Sequence, residues 1–233
     1  MDISKKAAVK KYFLEPTALV PNSPQPLLHY SGLLKDKCNP VNINEQFDKN
    51  EWRTQWIFRY GPTQESHYHS RIHECMVVLS GNATIRFGVA DTSDDLEEST
   101  YRGACEQGGV TIDAQAGDVF VIPAGVAHKT HNTSPGAPFA LLTPGKGRGI
   151  EATNPKGALE KIKLSGFTMM GAYPKNCGTW DFSVGGEDVG NFEATWSVAK
   201  PEKDPLLGAA EQGICGQWKD ITLSKRQDKR AKL

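Results

Sequence analysis

The stretch that decides the fold is residues 61–81, which read GPTQESHYHSRIHECMVVLSG. Its two central histidines, His67 and His69, stand two positions apart. Residues two apart on a strand point to the same face, so both imidazoles would converge on one point, as a metal ion requires. Glu74 comes five positions after His69 and would face away on a continuous strand. A turn or bulge over residues 70–73 would reset the face and bring the carboxylate to the same point.

A third imidazole comes from residues 117–132, which read GDVFVIPAGVAHKTHN. His128 follows a Pro-Ala-Gly turn that ends the apolar run 119–122. Three neutral imidazoles and one carboxylate form a nitrogen and oxygen donor set with a net charge of about +1 around a divalent metal, and two octahedral positions stay open. Such a set suits Fe, Mn, Ni, Cu, Co or Zn better than Ca or Mg. We therefore expect one divalent transition metal (Fe, Mn, Ni, Cu or Zn), bound by His67, His69, Glu74 and His128.

The chain around these motifs has the pattern of an all-β domain. Apolar residues 76–79 end at a glycine turn, residues 83–89 alternate between apolar and polar, and two further apolar runs follow at 110–112 and 119–122. Short strands with regular turn signals predict a sandwich or barrel. We expect one domain over 21–220, with a metal-site core at about 57–133. Insertions at about 91–109 and 134–163 are expected to be surface loops, with pocket lids as the alternative.

The segments that precede the barrel are predicted less uniformly. Residues 1–20 form an N-terminal tail, either a short helix or a loose arm. Residues 21–42 contain four prolines and read as an extended arm with strand-like pieces. The best helix candidate is 44–56, with Asn44 as its cap and with Phe47, Trp52 and Trp56 roughly along one side.

The two motifs resemble those of the cupin superfamily at every specified position, as Gly61-x5-His67-x-His69-x4-Glu74-x6-Gly81 and Gly117-x5-Pro123-x-Gly125-x2-His128-x3-Asn132. The resemblance implies a single-domain cupin β-barrel (an RmlC-like jelly roll or double-stranded β-helix) with an N-terminal arm and a few short helices. In that family, the residues at the positions of His67, His69, Glu74 and His128 bind the metal inside the barrel. The chain also resembles the YjlB-type single-domain cupins, which are of uncharacterised function, at Gly171 to Pro174, Trp180-Asp181, Asp204-Pro205 and Trp218.

The odd or even position of a residue along a strand, here called its parity, decides which face it is on and so suggests which other residues lie near the metal. Met76 and Val78 share the parity of Glu74 and would form an apolar wall of a pocket. Asn132 shares the parity of His128 and is a further pocket candidate. Tyr173 is the last pocket candidate. Together with Trp180 and Trp218 of the same family-like segment, it would either pack the arm against the barrel or stack on a substrate.

Other polar residues are expected to play no part in the metal site. His73 and His131 have the opposite parity and should face away from the metal. Cys75 alternates outward and should be inert. Arg86 could bind a substrate carboxylate or be solvated, and parity does not decide between these two.

The predicted function is that of a metal-dependent enzyme acting on a small organic molecule, with a dioxygenase-like oxidoreductase as the leading version. A cupin isomerase or decarboxylase is the alternative within the same class. A non-catalytic metal- or ligand-binding cupin is the alternative of another class, because a fold does not settle activity. No residue besides the ligands stands out as a general base.

The net charge and the C-terminal residues indicate which binding partners and which cellular compartment to expect. Lys plus Arg and Asp plus Glu both number 27, so no basic surface for nucleic acid or membrane is indicated. Five cysteines without a CxxC pair are typical of reduced thiols. Ala231-Lys232-Leu233 is a variant of the Ser-Lys-Leu address, which predicts recognition by a peroxisomal import receptor and a place in the peroxisomal matrix, with the cytoplasm as the alternative. The resemblance to such cupins also implies that a homodimer, formed through arm and strand exchange, is one option for the oligomeric state.

Overall fold

The computed structural model describes residues 8–35, 37–176 and 180–220. In chain order the strands are β1 (Val9–Tyr12), β2 (Leu27–Tyr30), β3 (Trp52–Arg59), β4 (Glu74–Ser80), β5 (Asn82–Phe87), β6 (Val110–Gln115), β7 (Val119–Ile122), β8 (His128–Ser134), β9 (Ala140–Leu141) and β10 (Thr168–Pro174). The helices are α1 (Pro40–Lys49), α2 (Leu96–Tyr101), α3 (Pro155–Glu160), α4 (Phe192–Trp196) and α5 (Ile214–Gln217). Within these ranges no helix is long and apolar enough to cross a bilayer.

The strands form two antiparallel sheets. The larger sheet has the order β1-β2-β7-β4-β10-β3-β9, and the smaller sheet has the order β6-β5-β8. Neighbours in both sheets are mostly distant in sequence, so the chain crosses between the sheets as a jelly roll does. The all-β fold predicted from the sequence is confirmed.

Strict alternation along β4 divides the core into two layers. Met76 and Val78 pack between the sheets with Phe87 of β5, which places them inside the barrel. Val77 points to the outer side of the larger sheet, where it belongs to the same cluster as Phe47 of α1. All of these side chains are buried, and each contributes about 1.5–3 kcal/mol through removal of apolar surface from water. This alternation places the carboxylate of Glu74, at the start of β4, inside the barrel.

The predicted helix over 44–56 is wrong in its bounds. The helix is α1, which begins at Pro40 behind an Asn39 cap whose side chain accepts hydrogen bonds from the amides of residues 41 and 42. It ends before Glu51, whose φ of 63° lies in the left-handed region and reverses the chain. Trp52 and Trp56 then lie on β3. They are four residues apart, a spacing that fits both one helix face and one strand face, so the pattern was ambiguous.

The flanking segments are more regular than expected. Residues 9–12 form β1, which pairs with β2, so the helix considered for 1–20 is not formed in its described part. The insertion 91–109 contains α2, and the insertion 134–163 contains β9 and α3. Cys75, Cys105 and Cys215 are free thiols.

Candidate metal centre

Three histidines converge inside one end of the barrel. Ring nitrogens of His67, His69 and His128 all lie within 4.8 Å of one another. His67 and His128 face each other across a short antiparallel bridge, in which the amide of His128 donates to the carbonyl of His67 at 2.8 Å. The Glu74 carboxylate lies beside them, with Oε1 3.5 Å from His69 Nε2 and Oε2 3.3 Å from His128 Nε2. The four residues that the sequence singles out are therefore brought together.

The chain turns between His69 and Glu74, as the spacing requires. Residues 70 and 71 form a bend. The Asp181 carboxylate holds this bend, because it accepts hydrogen bonds from the amides of Ser70 at 2.7 Å and Arg71 at 3.2 Å. A distant segment thus fixes the turn that lets β4 begin with Glu74 on the histidine side.

All three imidazoles are oriented in the same way. Nδ1–H of His67 donates to the carbonyl of Glu65 at 3.3 Å, and Nδ1–H of His128 donates to the carbonyl of Val126 at 3.3 Å. Nδ1–H of His69 donates to the carbonyl of Asp181. A backbone acceptor on Nδ1 fixes the tautomer that leaves the Nε2 lone pair free, which is how metal-binding histidines are usually held.

Electrostatics favours neutral imidazoles at His67 and His128 beside an ionised Glu74 carboxylate, whereas His69 is the imidazole that attracts a proton. Burial lowers the pKa of His67, and the nearby rings of His128 and His69 lower it further. Burial also lowers the pKa of His128, in spite of its attraction to Glu74. For Glu74, burial alone would raise the pKa, but His69 and His128 more than offset it and lower the pKa. Burial opposes protonation of His69, yet Glu74 raises the pKa of this residue, so a proton is held most strongly there.

This donor set fits a divalent transition metal. The three Nε2 lone pairs and one carboxylate are the ligand types that such ions prefer. Glu74 Oε2 is buried and makes no hydrogen bond within the described residues. A buried carboxylate oxygen without a donor is costly, and a cation would satisfy it. The cluster can therefore hold a metal ion.

A cavity of about 210 Å³ opens directly onto the cluster. Besides the four candidate ligands, it is lined by Trp56, Phe58, Tyr60, Gln64, Phe139, Tyr173, Trp180 and Phe182. The hydroxyl of Tyr173 donates to His69 Nε2 at 3.1 Å, so it lies at the inner end of the cavity. Phe182 stacks on His67 with ring centroids 4.1 Å apart.

The structure does not place every predicted pocket residue in this cavity. Tyr173 does line it. Met76 and Val78 are inside the barrel, as their parity indicates, but they are buried in the core below the cavity. Asn132 is exposed and lies outside it, so that prediction is wrong. Its φ of 54° and a register shift between β5 and β8 mark a bulge, which breaks the parity with His128.

The remaining polar candidates have other partners. Nδ1 of His73 accepts from the amide of Ala124 at 2.9 Å, and its ring faces Trp218. His131 pairs with Thr84 on the smaller sheet and is not one of the converging histidines. Arg86 is neither solvated nor in the cavity, because its guanidinium forms an ion pair with Asp91.

Sequence reasoning missed most of the cavity wall. Trp56 was assigned to a helix, while Phe58, Tyr60, Phe139 and Phe182 carried no recognisable signal. Trp180 does line the cavity, as its possible stacking role requires, whereas Asp181 was identified only through the resemblance. These residues come from β3, from the insertion 134–163 and from the segment after β10, and only the fold brings them to one place.

Comparison with known proteins agrees with this architecture. The model of a family described as Cupin matches residues 62–162, a range that contains all four candidate ligands. The uncharacterized protein YjlB of Bacillus subtilis (strain 168) is 27% identical over 206 residues, which cover 86% of this chain and 91% of that protein.

Solved structures give a more distant likeness. Lactobacillus farciminis oxalate decarboxylase in a formate complex is 17% identical, with 56% of this chain and 27% of that chain covered and a TM-score of 0.29. Bacillus subtilis oxalate decarboxylase, which has Mn(II) centres, is 12% identical, with 69% of this chain and 28% of that chain covered and a TM-score of 0.30. The vicilin of Solanum melongena is 18% identical, with 51% of this chain and 23% of that chain covered and a TM-score of 0.26. The chain thus spans about a quarter of the length of these proteins. Residues 62–162 thus match the Cupin family, and the chain as a whole is similar to YjlB, in agreement with the barrel and the motif spacings.

Proposed function

We propose that this protein is a metal-dependent cupin enzyme that acts on a small organic molecule, with a dioxygenase-like oxidation as its reaction. The observation that carries the proposal is the common orientation of the three imidazoles. Each commits Nδ1 to a backbone carbonyl and turns Nε2 towards the others, beside the buried carboxylate of Glu74. A barrel that needed these residues only for packing would have no reason to aim three imidazole nitrogens at one point beside a buried carboxylate.

His67, His69, Glu74 and His128 would hold the metal ion. When bound, a redox-active ion would supply Lewis acidity and electron transfer to oxygen. The other residues would orient the substrate and exclude water. Burial, followed by the charge of Glu74, raises the pKa of Tyr173, so its hydroxyl stays protonated. With His69 Nε2 bound to a metal, this hydroxyl would lose its present acceptor and could donate a hydrogen bond to a substrate oxygen. The aromatic walls would keep solvent away from the reacting atoms.

The first test is elemental analysis of the full chain, purified without chelators and without a metal-binding tag. We expect about one equivalent of Fe, Mn, Ni or Cu per chain. Glu74→Gln and His128→Ala should lower the metal content sharply. His131→Ala is the matched control, because it removes a buried histidine of the same strand as His128 and should leave the metal content unchanged. Equal loss in all three variants would contradict the assignment.

Turnover then separates the candidate reactions. Oxygen consumption with a panel of phenols, diketones and thiols would support the oxidation. Turnover that continues without oxygen would assign an isomerase or a decarboxylase instead. A metal-loaded protein that binds but converts none of these compounds would be a non-catalytic cupin.

We also propose that the protein acts in the peroxisomal matrix. Ala231-Lys232-Leu233 carries this proposal and lies outside the described residues. Deleting these three residues should move a fluorescently tagged protein, with the tag at its N-terminus, from peroxisomes to the cytosol. An intact chain that is already cytosolic would contradict it.

A further inference from the structure

Aromatic rings make up almost the whole wall of the cavity. Apart from the four candidate ligands, Gln64 is the single non-aromatic residue among the described residues that line it. Seven rings from three separate parts of the chain meet here: Trp56, Phe58, Tyr60, Phe139, Tyr173, Trp180 and Phe182. Several pack in pairs, such as Phe58 and Phe139, which stack with centroids 5.0 Å apart. Such a wall offers many ring faces and edges to a bound molecule and very few polar groups.

The rings extend from solvent down to the histidines. Trp56 and Tyr60 are buried, whereas Phe139 is 58% exposed and Phe182 is 45% exposed. Two large apolar side chains therefore remain in water on either side of an opening that leads to the cluster. Exposed aromatic surface at the rim of a pocket is typical of a binding site that a ligand covers.

The size of the cavity limits the ligand. About 210 Å³ is below the roughly 300–1,000 Å³ of pockets that take drug-sized molecules. A fused ring system or a long chain would not fit beside the histidines, but one six-membered ring would. A flat ring can also stack on, or meet edge to face, the rings that surround it.

Charge selects among the molecules that an aromatic cavity can take. Such cavities also attract organic cations. Here, however, the inner end would carry a net positive charge once a divalent metal is bound by three neutral imidazoles and one carboxylate. A second positive charge lies beside the cavity wall, since the Arg148 guanidinium lies over the Trp180 ring, 4.6 Å from its centroid. Both charges therefore favour an anionic group on the ligand.

We propose that the cavity binds a single-ring aromatic compound that carries an anionic oxygen, either a carboxylate or a phenolate, with the ring between the aromatic walls and the oxygen towards the histidines. This inference rests on the proposed function, because it names the substrate class of the same site. Binding itself requires no turnover.

The test is calorimetric titration of the full chain loaded with Zn, an ion that supports no oxygen chemistry. The probes are benzoate and catechol, which distinguish the two oxygen sources, and cyclohexanecarboxylate, which has the same charge and ring size without π electrons. Benzyltrimethylammonium tests the opposite charge. We expect benzoate or catechol to bind about tenfold more tightly than cyclohexanecarboxylate, and the cation to bind weakest. Equal affinity for benzoate, catechol and cyclohexanecarboxylate, or preference for the cation, would overturn the proposal.

Two variants assign the binding to this cavity. Phe182→Leu and Phe139→Leu change exposed side chains and should leave the fold intact. Each should weaken binding of the preferred probe about two- to tenfold through loss of one ring contact. Phe13→Leu is the matched control, because Phe13 is 68% exposed and does not line the cavity, and it should change nothing. Unchanged affinity in both cavity variants would overturn the proposal.

The Zn content of the same samples separates this inference from the proposed function. If the protein retains Zn but does not prefer the aromatic probes, the inference about the ligand is overturned and the proposed metal site is not. Metal-free protein should keep the preference for benzoate over cyclohexanecarboxylate, because that preference comes from the walls. Chain that shows this preference but never retains a metal overturns the proposed function and supports the aromatic cavity.

Discussion

Replacing Asp91 with alanine should destabilise the barrel next to two of the candidate ligands. Asp91 Oδ2 accepts hydrogen bonds from Lys129 Nζ and from the amide of Ser66, both at 2.9 Å. Its Oδ1 forms an ion pair with Arg86. Lys129 and Ser66 directly follow and precede the two histidines that face each other across the bridge. Asp91 therefore ties both backbone segments that position those histidines to the insertion 91–109.

The expected loss follows from the burial of the cations. The Lys129 side chain is 0% exposed and that of Arg86 is 11% exposed, so removing the carboxylate leaves two buried positive charges with one fewer partner. Breaking a buried pair in this way costs about 3–5 kcal/mol. A domain of this kind has a total stability of about 5–15 kcal/mol, so the variant should be severely weakened.

Urea unfolding followed by tryptophan fluorescence measures this loss. The matched control is Glu45→Ala, which breaks an ion pair with Lys156. The side chains of Lys156 and Glu45 are 61% and 58% exposed, so this variant should leave the stability nearly unchanged. Asp91→Ala combined with Lys129→Met should regain part of the loss, since it removes one stranded charge. If Asp91→Ala costs no more than Glu45→Ala, the network does not support the barrel as described.

Two further predictions concern residues around the cavity. Gly171→Ala would place a Cβ 2.2 Å from the ring of Trp56, so it should destabilise the protein by about 1–3 kcal/mol in urea unfolding, or shift the indole and change cavity binding. Burial lowers the pKa of His73 from 6.5 to about 4, so the unfolded chain binds more protons between these values and stability should fall as the pH falls through this window. The loss should reach about 3 kcal/mol by pH 4, and His73→Gln should show a flatter dependence of the urea midpoint on pH. An unchanged pH dependence in that variant would show that His73 is not the titrating group.

The convergence of the four candidate ligands could be predicted from local spacing for His67, His69 and Glu74, and from the resemblance of the second motif for His128. His67 and His69 need only the two-residue repeat of a strand, and Glu74 needs a turn before a new strand begins. Parity failed at Asn132, where a bulge reverses the facing of the chain. The bulge is held from outside β8, since the amide of Asn132 donates to the carbonyl of Pro62 at 3.0 Å. Because Pro62 lies outside residues 128–134, the sequence of β8 alone could not predict this bulge.

The cavity wall could not be predicted for a related reason. The spacing of Trp52 and Trp56 fits both a helix face and a strand face. In the structure Asn39 and Pro40 start the helix earlier, so it ends before Trp56, which lies on β3. Phe139 and Phe182 are exposed aromatic residues in irregular segments, where neither the helix repeat nor the strand repeat predicts which way a side chain faces. Their role depends on the packing of those segments over the mouth of the barrel, which is a long-range property of the fold.

The candidate ligands and the cavity wall lie in different parts of the chain, which indicates which part would determine substrate specificity. The candidate ligands all lie within residues 62–162, the part that matches the Cupin family. The carbonyl that orients His69, the carboxylate that holds the bend before Glu74, and the rings of Tyr173, Trp180 and Phe182 all lie beyond residue 162. A barrel with the same four ligands but a different final segment would therefore bind its metal with another orientation of His69 and would present another wall to the substrate. It follows that the ligand set alone does not carry an activity from one cupin to another. The informative relatives are those that keep an aromatic residue on each side of Asp181.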